Sequence, residues 1–257
     1  MPVASIHEIK AGDTLAKLAQ HHGLTLDELL DANQQITNPN LVLIGQLIKI
    51  PTPAPLPMPP KLPGQAQSFN GVHPAPSTIS TNRAALVQPP LTNLPGHRKP
   101  GIYEQVINQF AVAHNPRYLR NSTDTFCNIF LWDVTRAMGC QIPHWIDPRG
   151  HAAAPFQPHA HELNINATVE WMRTEGVPHD AWQLATASQA QDQANLGKVA
   201  VALWKNPSGG HGHTAVIRPG QLTDKGPACA QAGGINFNMG HIKDGFHRAQ
   251  PKYYVHD

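Results

Sequence analysis

The chain has 257 residues and a formal net charge of +2, and charged residues make up 14% of it. So mild a charge balance gives no electrostatic basis for binding nucleic acid or an anionic membrane, and we expect neither as a partner. The length suffices for one large domain or two smaller ones. The three cysteines cannot all pair within one chain, so at least one thiol is free.

The N-terminal stretch MPVASIHEIKAGDTL has no basic segment followed by an apolar one, which is the pattern of a secretory signal peptide. No apolar run elsewhere is long enough to span a bilayer. We therefore expect a soluble protein made in the cytoplasm, without membrane insertion.

The first predicted unit, residues 1–51, has the element order β, α, α, β. Apolar residues recur at helical spacing after Asp13, a favourable cap, and again after Thr25, which has the spacing of a capping box with Glu28. The flanking segments 6–10 and 46–50 are short and apolar, which predicts a pair of strands.

This unit resembles a LysM module in five short motifs within residues 5–51, namely GDTL, GLT, AN, NPN and GQ. LysM modules bind glycans that contain N-acetylglucosamine, in peptidoglycan or chitin, in a shallow groove between two loops. The resemblance implies a groove with two walls, formed by Gly12, Asp13, Thr14 and Leu15 on one side and Asn38, Pro39, Asn40 and Leu41 on the other. Several of these residue types also shape turns, and a role restricted to turn formation stays open for Gly12, Asp13 and Pro39.

Residues 52–100 are rich in proline, as in PTPAPLPMPPKLPGQAQ and QPPLTNLPGHRKP. Such a composition favours extended polyproline geometry over a packed core. We predict a semi-rigid linker that separates the first unit from a larger domain at residues 101–257.

The larger domain is predicted to be α+β, with helices first and strands later. Apolar residues at helical spacing mark three helices, near 102–110, 127–138 and 165–173. Three strand-like segments follow, at 198–206, 213–219 and 227–233, and the NPSGG turn between the first two favours a hairpin. We expect an antiparallel sheet with the helix that begins near Cys127 in front of it.

Cys127 is the candidate nucleophile because it falls in the first turn of its helix, after the candidate caps of the segment TDT at 123–125. Unpaired backbone N–H groups and the positive end of the helix dipole favour a thiolate there, so we expect a lowered thiol pKa. Cys140 falls at the far end of the helix and Cys229 in an apolar strand, and both are expected to be structural.

His213 is the candidate base, because it opens a strand from which its ring would project at a fixed height toward a helix end packed on the sheet. His211 would face the same side. The stretch GHTAVI resembles the GHVAVV stretch of cysteine hydrolases that act on cell walls. With a cysteine at a helix start, it resembles the papain-like amidohydrolases and peptidases of the CHAP and NlpC-type branches, which cut the peptide stems of peptidoglycan.

The papain-like resemblance implies a third polar residue that orients the histidine through its other ring nitrogen. The strand after His213 offers Gln231, Asn236 and Asn238; Gln231 has the better strand position, and Asn236 follows a glycine pair. The sequence departs from the family beside the nucleophile, where Phe-Cys-Asn replaces Asp-Cys-Ser or Cys-Thr-Trp, and residues 142–161 have no counterpart.

Together the two resemblances imply a peptidoglycan hydrolase, an amidase or endopeptidase that needs no cofactor or metal. Two alternatives remain open. The motifs HAH at 159–161 and HGH at 211–213 suit a zinc endopeptidase, although no histidine has the aspartate four residues later that the lysostaphin type uses. The other alternative is a non-catalytic adaptor that binds glycan and docks a partner.

A wall substrate lies outside the cytoplasmic membrane, so the absence of a recognisable signal peptide implies another export route. Phage lysis through a holin and injection into a target cell by a type VI secretion apparatus are the two routes considered. We expect an injected antibacterial effector, because a net charge of +2 attracts the wall only weakly while a LysM module supplies retention. Its partners would then include the secretion apparatus and an immunity protein.

Overall fold

The computed structural model describes residues 3–10, 12–22, 24, 26–36, 38, 42–51 and 73–257. The chain divides into two compact units, Met1–Ala66 and Gln67–Asp257. Within the described residues, no helix has the length and apolar character needed to cross a membrane.

The N-terminal unit has the predicted βααβ order, which is confirmed. Its elements are β1 (Val3–Glu8), α1 (Leu15–His21), α2 (Leu26–Asp31) and β2 (Leu47–Pro51), and the two strands pair antiparallel. The apolar sides of both helices and of β2 form a small hydrophobic core. Thr25 lies outside the described residues, so the capping box with Glu28 stays a prediction.

Asn33, from the AN motif, is fully buried and ties the end of α2 to β2. Its amide nitrogen donates to the carbonyls of Leu29 at 2.8 Å and Lys49 at 2.7 Å, and its oxygen accepts from the Lys49 N–H at 2.8 Å. A buried amide with these partners costs little desolvation energy, which gives this motif position a structural role.

Within residues 73–257, the part of the C-terminal unit that the structure describes, there are eight strands and six α-helices, in agreement with the α+β prediction. In chain order they are α3 (Pro100–Asn108), α4 (Cys127–Ala137), β3 (Trp145–Ile146), β4 (His161–Glu162), α5 (Ile165–Trp171), α6 (Val177–His179), β5 (Gln183–Ala185), α7 (Ala187–Asn195), β6 (Val199–Trp204), β7 (His213–Ile217), β8 (Ala228–Gln231), β9 (Phe237–His241), α8 (Ile242–Phe246) and β10 (Lys252–His256). A single π-helical turn, Met172–Gly176, follows α5 directly.

Six strands form one antiparallel sheet in the order β5-β10-β6-β7-β8-β9, and β3 pairs with β4 separately. The predicted hairpin is the β6–β7 pair, and β7 and β8 match the other predicted strands. Helix α4 packs on β7, and nine of its eleven residues are buried. The start of α4 therefore lies over the middle of the sheet.

Residues 73–99, which the sequence assigns to the linker, pack into the C-terminal unit, and this is a correction. Val87 belongs to the main hydrophobic core. The buried Asn93 amide donates to the Gly197 carbonyl at 3.1 Å, and the Gln109 side chain exchanges hydrogen bonds with the backbone of Leu91 at 2.9 and 3.0 Å. Proline keeps the backbone of this segment extended, but the residues between the prolines supply apolar and polar groups that dock it. The rest of the predicted linker, 52–72, lies outside the described residues.

A buried ion pair joins the same segment to α4. Arg117 and Asp133 have fully buried side chains, with Nε donating to Oδ2 at 2.6 Å and Nη2 to Oδ1 at 3.2 Å. The Arg117 guanidinium also donates to the carbonyls of Asn82 and Ala85, each at 2.9 Å. Breaking a buried pair of this kind by removing one partner costs about 3–5 kcal/mol.

The docking of residues 73–99 predicts that a fragment of residues 101–257 is less stable than one of residues 73–257. The shorter fragment loses both carbonyl partners of the Arg117 guanidinium and exposes apolar core. Since hydrogen bonds to charged groups are worth about 1.5–3 kcal/mol each, the free energy of unfolding should fall by about 3 kcal/mol or more. Urea unfolding followed by circular dichroism measures the difference; equal midpoints and slopes would show that residues 73–100 are a linker after all.

Candidate active site

Cys127 begins α4 and its thiol lies against β7. The residue is only 4% exposed, in the contact between α4 and β7. The candidate base, His213, is the first residue of β7, so Cys127 begins the helix that packs on the strand of that base.

The residues predicted to cap α4 do not do so. Phe126 occupies the N-cap position, and no side chain completes the cap. The segment before it folds on Asn121 instead: the Asn121 side-chain oxygen accepts from the N–H groups of Thr123 and Asp124, at 2.9 and 2.5 Å. This Asx turn holds both side chains in place before the helix begins.

Burial raises the pKa of the Cys127 thiol to about 11, although N–H groups at Thr214, Asn128 and Cys127 itself oppose the shift. The expected lowering is therefore wrong in direction. A position at a helix start favours a thiolate only while solvent or a cation helps to stabilise the charge, and desolvation of a fully covered sulfur outweighs it. The resting thiol is neutral at pH 7.

His213 is hydrogen-bonded to Gln231, with 2.8 Å between Nε2 and Oε1. The Gln231 amide nitrogen donates to the Ile235 carbonyl at 3.0 Å. Because a carbonyl can only accept, the amide oxygen must face the imidazole, and Nε2 must carry the proton that it accepts. Nδ1 is then the unprotonated ring nitrogen. Burial lowers the pKa of His213, more than the bond to Gln231 raises it, so the ring is neutral at pH 7.

Helix α8 backs the His213–Gln231 pair. The Phe246 ring packs on the imidazole with 4.7 Å between ring centroids. Gly245 touches the Gln231 amide so closely that a Cβ there would lie 1.8 Å from Oε1. Only glycine leaves room for the amide at this point. Neither residue is predicted from the sequence, because the five-residue helix α8 is too short to show a periodic signal.

Asn236, the alternative orienting residue, is engaged elsewhere. Its nitrogen donates to the carbonyls of Val112 at 3.1 Å and Tyr118 at 3.0 Å, and its oxygen accepts from the Gly233 N–H at 2.8 Å. These bonds join the loop after β8 to the segment before α4. Of the two candidates, the structure brings Gln231 to His213 and gives Asn236 a different role.

A cleft of about 650 Å³ opens beside the start of α4. It is lined by Arg83, Thr123, Asp124, Thr125, Phe126, Asn128, Ile129, Glu162, Asn164 and His211. Two of these residues, Phe126 and Asn128, flank Cys127 in the chain. Arg83 comes from the segment that the sequence assigns to the linker.

His144 pairs with Glu162, and the sequence did not predict this second contact of a histidine with a polar side chain. His144 is 3% exposed, and its Nε2 lies 2.9 Å from Glu162 Oε1, while its Nδ1 lies 3.4 Å from the side-chain nitrogen of Asn128. Because a carboxylate only accepts, Nε2 donates and Nδ1 faces the Asn128 amide as an acceptor. The pair therefore helps to hold the residue that follows Cys127.

The histidine pairs of HAH and HGH do not converge on a metal site. Among the described residues, no three histidine, cysteine, aspartate or glutamate side chains are grouped so that they could hold a metal ion. His213 is bonded to Gln231, His211 lines the cleft and His161 is exposed in β4. The described residues therefore do not offer a set of ligands for the zinc ion that the alternative function requires.

The residues predicted to bind glycan in the N-terminal unit differ in burial and in their hydrogen bonds. Leu15 is fully buried, so its side chain belongs to the core and not to a groove wall. Asp13 accepts from the Lys10 N–H and lies 2.9 Å from His7 Nε2, whereas Thr14 accepts from the Lys17 N–H at 3.2 Å and so caps α1. The prediction of Asp13 as the cap is therefore wrong.

The remaining groove candidates fall into two groups. Gly12 and Asn38 are exposed, and Gly12 has a φ of 89°, which favours glycine in this turn. Pro39, Asn40 and Leu41 lie outside the described residues, so their proposed role stays a prediction.

The contact between Gly245 and Gln231 predicts that Gly245→Ala pushes the amide away from His213. The bond to Gln231 raises the imidazole pKa, so its loss should lower that pKa further. An NMR pH titration of the His213 ring measures the shift. Gly234→Ala is the matched control, because a Cβ there meets nothing within 4 Å. An unchanged His213 pKa in folded Gly245→Ala protein would contradict the assigned contact.

Comparison with known proteins places the N-terminal unit in a family. Residues 7–51 match the model of the LysM domain. Similar segments occur in an endolysin of Bacillus phage PZA (43% identity over 44 residues), the secreted LysM effector ECP6 of Passalora fulva (44% over 45) and the N-acetylmuramoyl-L-alanine amidase XlyB of Bacillus subtilis (45% over 51).

These matches cover 17%, 18% and 20% of this chain, and 17%, 20% and 16% of the three relatives. They rest on the LysM segment and do not extend to the C-terminal unit. The N-terminal unit is a LysM domain.

Proposed function

We propose that the protein is a peptidoglycan hydrolase of papain-like type, an amidase or endopeptidase that cuts an amide bond of the peptide stem. The observation that carries the proposal is the 2.8 Å bond between Nε2 of His213 and Oε1 of Gln231, on the sheet against which the helix of Cys127 packs through β7. A thiol, a base beside it and a group that orients the base are the parts of nucleophilic catalysis.

In the proposed mechanism Nδ1 of His213 takes the thiol proton while Sγ attacks the carbonyl carbon. Because burial leaves both groups neutral at rest, proton transfer accompanies the attack instead of preceding it. The oxyanion forms near the Cys127 backbone N–H at the start of α4. The imidazolium then protonates the leaving amine, and water cleaves the thioester with His213 again as base, which restores the thiol and releases the acid.

The LysM domain would hold the enzyme on the glycan strands of peptidoglycan. Two relatives with similar LysM segments are named as an endolysin and an amidase, which supports a wall substrate. The relative named as a secreted LysM effector favours the second candidate, a glycan-binding adaptor. An adaptor, however, has no use for the ordered bonds from Ile235 through Gln231 to His213.

Cys127→Ala should reduce the turbidity loss of isolated sacculi by about a thousandfold or more, as expected when a nucleophile is removed. Cys140→Ala and Cys229→Ala should keep most of the activity, since both thiols are buried and neither begins a helix, and burial raises the pKa of Cys140 to about 12. Circular dichroism must show that all three variants are folded. Equal loss in three folded variants would mean that Cys127 supplies packing and not chemistry.

Isolated sacculi also serve to test whether the LysM domain anchors the enzyme on the wall. The fragment of residues 73–257 should match the full chain on soluble muropeptides and act more slowly on intact walls, because anchoring raises the local concentration only on a polymer.

We further propose that the protein acts in the wall of a target cell, as an injected antibacterial effector and not as a phage lysin. The net charge of +2 provides little electrostatic attraction to the wall, and the LysM domain supplies retention instead. The secretion apparatus and an immunity protein would be its partners.

This site of action predicts a compartment-dependent toxicity in a Gram-negative host. Expression in the cytoplasm should be tolerated, the wild-type chain directed to the periplasm should lyse the cells, and periplasmic Cys127→Ala should be harmless. Growth curves with immunoblots for protein level measure this; harmless folded wild-type protein in the periplasm would overturn the proposal.

A further inference from the structure

A second concave site, here called the edge groove, lies where the six-stranded sheet ends at β5, and it shares no residue with the cleft beside Cys127. Its volume is about 510 Å³. Four residues form its floor: Leu184 lies opposite Tyr254 in the strand register, and Leu203 lies opposite Lys252. Because opposed residues share a face of the sheet, as do alternate residues of one strand, all four lie on the same face.

The wall of the edge groove comes from α5 and the chain that follows it. Val169 belongs to α5, Arg173 to the π-helical turn and Val177 to α6. Val177 is 40% exposed, and Leu184 on the floor is 64% exposed. Concave sites of about 300–1,000 Å³ with mostly apolar linings are the usual form of small-molecule sites. A ligand with an apolar part gains by covering these side chains, since this removes their surface from water.

The charged residues of the edge groove favour an anion. They are Arg173, Lys205 and Lys252 on the positive side and Glu170 on the negative side. Arg173 donates from Nε and Nη2 to Glu170 Oε1, at 2.8 and 2.5 Å, so these two charges offset each other. Lys205 Nζ lies 3.9 Å from Glu170 Oε2, too far for a hydrogen bond, and Lys252 has no ion-pair partner among the described residues. Two positive charges are therefore left to attract a negative group.

We propose that the edge groove binds an amphipathic monoanion, a carboxylate with one apolar chain. The chain would lie on Leu184, Leu203 and Val177, and the carboxylate would lie between Lys205 and Lys252. Lys205 follows two residues after Leu203, the residue opposite Lys252, so both lysines lie at the same end of the floor. A concave floor suits a slim chain better than a flat bilayer or the surface of a folded protein. This binding site goes beyond the proposed hydrolase function and does not depend on it.

Calorimetric titration of the full chain with octanoate and decanoate, both below their micelle concentrations, tests the site. Binding should saturate at one site, and decanoate should bind about tenfold more tightly, because its two additional methylenes cover more apolar surface. 1-Octanol and octylamine keep the chain but lose or reverse the charge. Both should bind more weakly than octanoate, by about fivefold or more.

Variants of the floor assign the two parts of the ligand. Lys252→Gln and Lys205→Gln should each weaken octanoate binding by about fivefold and leave 1-octanol binding unchanged. Lys225→Gln is the matched control, because this exposed lysine pairs with Asp244 outside the groove. Leu184→Ser should weaken the binding of octanoate and 1-octanol alike, since it removes apolar contact. If Leu184→Ser does not fold, Leu184→Ala gives the same test.

Three results would overturn the proposal. One is octanoate binding that no groove variant alters, and another is equal affinity for octanoate and 1-octanol. The third is a different occupant: binding to phosphatidylglycerol vesicles, or to an acidic peptide of alternating glutamate and valine, while neither fatty acid binds. These titrations do not measure cleavage of sacculi, so failure of the groove proposal and failure of the hydrolase proposal are separate results.

Discussion

The fully buried guanidinium of Arg117 is the constraint on which the C-terminal unit depends. A guanidinium cannot lose its charge, so once it leaves water all of its donors must find acceptors inside the protein. Asp133 on α4 satisfies one edge, and the carbonyls of Asn82 and Ala85 satisfy the other. The segment before α3 and the helix that carries Cys127 are thereby fixed to each other, and α4 also packs on β7.

Burial also decides the electrostatic state of the candidate catalytic pair. Dipole interactions at a helix terminus are worth about 0.3–1 kcal/mol. Burial moves the Cys127 pKa from 9.0 to about 11, which corresponds to about 3 kcal/mol against the thiolate. Desolvation outweighs the dipole, so in the proposed mechanism the direction of the His213 lone pair decides whether the thiol can give up its proton. That direction is set by bonds that run from the Ile235 carbonyl through Gln231 to Nε2.

Local sequence patterns predict those helices and strands in which apolar residues recur at a regular spacing. The βααβ unit, the helix starting at Cys127 and the β6–β7 hairpin each follow from spacing or turn chemistry, and Gln231 follows from its strand position. The docking of residues 73–99 could not be predicted from the sequence. Arg117 binds backbone carbonyls of this segment, and every residue type carries a backbone carbonyl. The pairing of His144 with Glu162 could not be predicted either, because residues 147–160, which lie between them in the chain, form an irregular loop.

The same buried pair reaches the cleft. Arg83 lies between Asn82 and Ala85 in the chain, so the two carbonyls that satisfy Arg117 hold the backbone from which the Arg83 side chain extends over Phe126. The buried guanidinium of Arg117 therefore positions the backbone that carries the Arg83 side chain in the cleft. Because Asp133 orients Arg117 in turn, loss of that carboxylate would disturb the cleft as well as the core. The stability of the unit and the position of Arg83 in the cleft are then coupled through the guanidinium of Arg117.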